Sequence, residues 1–107
     1  MPQYPFNTPG EVAYNHIGTA GTYVVKAVPG ALFEININSG TSGATIELFD
    51  QATTVTGTNV IAGPINLGTA TVIPQRVLYG PDGAGIKFNN GLVVITTGTT
   101  DITMAYR

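Results

Sequence analysis

Apolar and polar residues alternate with a period of two along much of this chain. In FEININ, Phe33, Ile35 and Ile37 alternate with Glu34, Asn36 and Asn38, which predicts a strand with one face toward a core and the other toward water or a partner. ATIELFD repeats the pattern, with Ile46 and Leu48 inward and Thr45 and Glu47 outward, and a last strand turns Ile102, Met104 and Tyr106 inward. No stretch carries the three-four spacing of an amphipathic helix, so the fold class is all-β.

Turn residues divide these runs. Pro29-Gly30, set between the apolar halves of TYVVKAVPGALFEININ, predicts a first hairpin, because Pro presets φ at one corner and Gly accepts a positive φ at the next. SGTSG (Ser39 to Gly43) reads as a loop. Short strands are expected around Asn59 to Ala62 and Thr69 to Ile73, divided by Gly63-Pro64 and Gly68, with another at Arg76 to Tyr79. Gly85 to Phe88 is expected to pair with Leu92 to Thr97 through Asn89-Asn90-Gly91, since Asn-Gly before an apolar run is a strong hairpin signal. A turn at Gly98-Thr99-Thr100 leads to the last strand. The sum is about eight short strands, which predicts a two-layer antiparallel sandwich of jelly-roll or Greek-key type. The division is residues 1–20 as an extended N-terminal arm, in which Pro2, Pro5 and Pro9 space the aromatic residues, and residues 21–107 as the β-sandwich domain.

Composition narrows the function more than the fold. Only 9% of residues are charged, against about a quarter in an ordinary soluble chain. A net charge of −2 gives little of the phosphate neutralisation that nucleic-acid binding needs, so no nucleic-acid partner is expected. The absence of cysteine excludes disulfides, thiolate metal sites and thiol nucleophiles. No apolar run approaches the roughly 18 residues of a membrane helix, and MPQYPFNTPG has neither the basic start nor the apolar core of a signal peptide. Synthesis in the cytoplasm and no membrane partner are the expectations.

Candidate chemistry is sparse. His16 is the single histidine and has no nucleophile-elbow or triad pattern around it, which points to a surface or packing role. Glu11, Glu34, Glu47, Asp50, Asp82 and Asp101 are scattered; a side-by-side outward pair of Glu34 and Glu47 on neighbouring strands is one reading, and two separate solvated strand positions is the favoured one. GPDGAG lacks the Lys-Ser/Thr ending of a phosphate loop, and Asp82 stands alone where a calcium loop needs several oxygen donors. No catalytic residue, metal or cofactor is expected. Tyr23, Phe33, Phe49 and Phe88 fall on or near apolar faces and are assigned to packing. Tyr4, Phe6 and Tyr14 in the arm have no such face and are the candidate protein-interaction residues.

ATIELFDQATTVTGTNVIAG, followed at a distance by GIKFNNGLVVITTGTTDITMAYR, resembles small β-sandwich structural proteins of tailed bacteriophage virions. In those proteins a strand ending in Leu-Phe/Tyr-Asp precedes a closing Asn-Gly-Leu-x-Val-x-Thr-x-Gly-Thr-x-Asp-x-Thr hairpin and a Tyr-Arg end. The resemblance spans roughly residues 20 to 107 and does not cover the arm. It implies a non-enzymatic head decoration or cement protein on the capsid surface, bound to the major capsid protein or another virion protein. It further implies a homo-oligomer, with a trimer favoured by lattice positions, and a stiff C-terminal hairpin serving as an assembly edge. The alternative is a tail or fibre module that binds a receptor or carbohydrate, although the SGTSG and GPDGAG loops contain none of the aromatic residues such a module uses.

Overall fold

The computed structural model describes residues 12–41, 43–54, 59–66, 75–81 and 84–107. Among them nine strands form two antiparallel sheets: β1 (Ala13–Ile17), β2 (Gly21–Lys26), β3 (Gly30–Gly40), β4 (Thr45–Phe49), β5 (Val60–Asn66), β6 (Gln75–Leu78), β7 (Ile86–Phe88), β8 (Leu92–Thr97) and β9 (Thr100–Tyr106). Sheet A runs β1-β9-β3 and then β6 and β7, which pair one after the other along the same side of β3. Sheet B runs β2-β8-β4-β5. With β6 and β7 counted as one interrupted strand, this is the pair of four-stranded sheets of a jelly roll. The two-layer all-β expectation therefore holds. The proposed strand at Thr69 to Ile73 lies outside the described residues.

The core between the sheets follows the period-two reading in most places. Ile35, Ile37, Ile102 and Met104 from sheet A meet Ile46, Leu48, Leu92 and Val94 from sheet B, and all are buried. Tyr106 packs against the edge of this cluster. Phe33 departs from expectation. The register of β3 against β9 shifts between Leu32 and Glu34, and such a bulge moves a side chain to the other face. Leu32 is consequently the fully buried residue and Phe33 is only half-buried.

Three local turn readings are corrected by the long-range pairing. Pro29-Gly30 does not close a hairpin: β2 pairs β8, while β3 pairs β9, β6 and β7 in the other sheet. Asn89-Asn90-Gly91 does not close one either, because β7 pairs β3 in sheet A and β8 lies in sheet B. β8 and β9 likewise belong to different sheets, and each is an inner strand, so the C-terminal segment is not an edge. The edges are β1, the β6 and β7 line, β2 and β5. β5 also runs straight through Gly63-Pro64, with a cis bond there and a register irregularity beside it. An edge strand tolerates proline because one row of its backbone groups has no ladder partner.

The same pairing brings Leu48-Phe49-Asp50 and Asn90-Gly91 together. Asp50, immediately after β4, accepts backbone N–H bonds from Asn89 at Oδ2 (2.8 Å) and from Asn90 (2.7 Å) and Gly91 (3.3 Å) at Oδ1. Burial alone would raise the Asp50 carboxyl, but these three donors more than offset it and hold the group below its ordinary value. Gly91 has no positive φ. Its requirement is space, since a Cβ there would sit 2.5 Å from both the Gln51 and Lys26 carbonyl oxygens.

Candidate interaction surface

The outer face of sheet A is built by cross-strand register. Residues directly opposite in antiparallel strands share a face, so β1, β9, β3 and β6 lay down one outward row of Tyr14, Ala105, Glu34 and Leu78 and another of His16, Thr103, Asn36 and Arg76. Asp101 and Asn38 extend this face toward the start of β9. The rows contain one acid, one arginine, one histidine, one amide and small residues, and the first row ends in exposed apolar side chains, Tyr14 at 75% and Leu78 at 48% exposure.

Hydrogen bonds tie the polar members together. His16 Nε2 donates to Asp101 Oδ1 (2.7 Å), and the Asn38 amide donates both to the same oxygen (2.9 Å) and to Thr103 Oγ1 (3.1 Å). Asn36 donates to Glu34 Oε2 (2.9 Å). The Asn38 amide first, and then the His16 ring, hold the Asp101 carboxyl below its usual range. A His-Asp pair is an acid-base dyad in other settings, but here it lies open to water, with side chains 54% and 38% exposed. Solvent screens such a pair, and the low-dielectric enclosure that gives fixed dipoles their catalytic strength is missing around it. What the network does is restrict rotamers over three strands, which leaves a hydrogen-bonded face with less side-chain entropy to lose on burial.

The candidate residues fall as follows. Tyr14 is on edge strand β1 and faces outward on this surface, while Tyr4 and Phe6 lie outside the described residues, as do Glu11 and Asp82. His16 joins Asp101, an association that sequence reasoning missed because 85 residues separate them and because that reasoning places His16 in an arm rather than in a strand. Glu34 and Glu47 are not neighbours, and the side-by-side alternative falls away. β3 is in sheet A and β4 in sheet B, so two outward residues of these strands point to opposite sides of the sandwich.

Sheet B has a different outer face. Val24, Val93, Phe49 and Val60 are consecutive partners across β2, β8, β4 and β5. Val93 and Phe49 are buried although they do not belong to the core between the sheets, and Val24 and Val60 at the ends are 41% and 55% exposed. The two outer faces thus divide into one polar and hydrogen-bonded and one apolar along its middle row. No family model, curated protein or solved structure matches this chain.

Proposed function

We propose that this protein is a non-enzymatic structural component of a tailed-bacteriophage virion, a decoration or cement protein that sits on the head surface and binds the shell protein through the outer face of sheet A and the arm leading into β1. The observation that carries this reading is the Tyr14, His16, Thr103, Asn38 and Asp101 face, which offers broad contact area whose polar side chains are already hydrogen-bonded to one another. Two further features support it. A jelly roll is an architecture used for viral shells, although it also serves lectins and enzymes, so the fold by itself does not choose. The residues of the virion-protein resemblance, Leu48-Phe49-Asp50 and Asn90-Gly91, are joined by the Asp50 hydrogen bonds, which gives that motif a structural reason to persist.

Self-association is part of the same proposal, with a trimer as the expected state. It rests on the 43% hydrophobic content of a small chain and on the exposed apolar side chains at the sheet edges, Tyr14, Val24, Val60 and Leu78. Binding is tested by co-sedimentation with shells that lack the protein. Tyr14→Ala, and separately deletion of residues 1–9, should each reduce occupancy while the sandwich keeps its melting temperature, since an exposed ring contributes little to folding and on the order of 1.5–3 kcal/mol when buried at an interface. Full occupancy by both variants overturns the assignment of this surface. Sedimentation equilibrium that finds only monomer, both free and after release from shells, overturns the oligomer.

A further inference from the structure

The whole chain contains four Lys and Arg, and three of them, Lys26, Lys87 and Arg107, border a single open cleft of about 640 Å³ at one end of the sandwich. Register accounts for the convergence. Ala31 on β3 lies opposite Lys87 of β7 on one side and exchanges both backbone hydrogen bonds with Arg107 on the other, at 2.8 Å each. Opposed residues of antiparallel strands project to one face, so the two cations flank a single methyl group, with their Cα atoms about 10 Å apart by strand spacing. Lys26 reaches the same cleft from the end of β2 in the other sheet. Pro29, Gly30, Ala84 and Gly85 complete the lining, so the floor is backbone and small side chains rather than bulk.

No Asp or Glu side chain among the described residues pairs with these cations. Among the described residues the ion pairs are limited to His16 with Asp101, on a different part of the surface. The Arg107 guanidinium lies 5.6 Å from the centroid of the Phe33 ring, a contact that narrows its rotamers while leaving its planar donor edge available. Three like charges around a concave, low-dielectric wall repel one another and focus a positive potential, and an entering anion relieves the first and is drawn by the second. In a chain of net charge −2, such a concentration is a local feature working against the overall sign.

We propose that this cleft binds an acidic segment of a partner protein, with Arg107 pairing a carboxylate through its forked N–H groups and Lys26 and Lys87 holding neighbouring carboxylates as point charges. The small floor suits an extended backbone lying across it. Three cations satisfy a short acidic segment, whereas a nucleic-acid backbone presents a longer run of phosphates to a protein whose remaining charge is negative. The inference rests on the cleft alone and does not depend on the assembly reading.

The test is fluorescence anisotropy with labelled hexaglutamate, with hexaglutamine as the neutral control, at about 50 mM salt where such attraction is little screened. Saturable binding of hexaglutamate alone is expected, weakening as salt rises. Lys87→Glu and Lys26→Glu should each weaken it about tenfold or more, whereas Arg76→Glu, the same reversal at the fourth cation on the outer face of sheet A, should change it less than about threefold. Circular dichroism checks folding, and Lys87→Gln, which removes charge without reversing it, replaces any reversal that unfolds and should still weaken binding. Absence of binding by the unaltered protein overturns the proposal. So does an equal loss in Arg76→Glu, which would reduce the effect to net charge, or tighter binding of a six-nucleotide oligothymidylate than of hexaglutamate, which would reassign the cleft to nucleic acid.

Discussion

Replacing Asp50 by Ala removes the acceptor of three backbone N–H groups at the point where the chain passes from sheet A to sheet B. Hydrogen bonds to a charged group contribute about 1.5–3 kcal/mol each. The two bonds at 2.7 and 2.8 Å are short and the third, at 3.3 Å, is weak, and all lie where water replaces part of what is lost. Two bonds at the lower end give a loss of about 3 kcal/mol at pH 7. For a domain of this size that is a fall of about 12 °C in melting temperature. The Asp50 carboxyl has a lowered folded-state pKa, so the unfolded chain takes up the proton first as pH falls. Its stabilisation is therefore complete above the unfolded value of about 4 and disappears as pH drops through the lower folded value. Urea unfolding followed by circular dichroism at pH 7 and again at pH 2.5–3 measures both effects. The gap between wild type and Asp50→Ala should be wide at pH 7 and narrow at the acid end. A gap under about 1 kcal/mol at pH 7, or one that stays the same in acid, refutes the reasoning.

Other expectations follow from packing and exposure. Gly91→Ala should destabilise strongly, and Gly91→Val more so, because the first added carbon already strikes two carbonyl oxygens; an Ala variant that melts like wild type would contradict this. Met104→Ala, at a fully buried core position, should cost about 2–5 kcal/mol by denaturant titration. Asp101→Asn should leave the melting temperature at pH 7 close to that of wild type, since the pair with His16 is solvated, and should show its effect in shell binding instead.

The parts of this structure that could be read from sequence are those set by nearest neighbours. Ile46 and Leu48 against Thr45 and Glu47 state their faces directly, because alternation is a local property of a strand half-buried in a sheet. Asn90-Gly91 and Pro29-Gly30 carry equally local turn signals, yet the strands on either side of each join different sheets. Turn chemistry describes a change of direction and does not specify a pairing partner. The partner depends on contacts such as Asp50 with Asn89 to Gly91, about forty positions distant, which no spacing rule reveals. Phe33 was misplaced by one extra residue at the Leu32/Glu34 shift. The surface was less visible still. Tyr14 stood out as an aromatic residue without an apolar face, but its row with Glu34 and Leu78, and the union of His16 with Asp101, exist only once β1, β9, β3 and β6 lie side by side.

Assembly on a virion head is tested most directly by locating the protein on purified particles, with gold-labelled antibody imaged by electron microscopy and copy number counted by quantitative mass spectrometry. Label distributed over the heads, at a copy number that scales with the shell lattice, is the expected result. A protein absent from particles, or label confined to the tail, would contradict the account, and the tail position would favour receptor binding in its place.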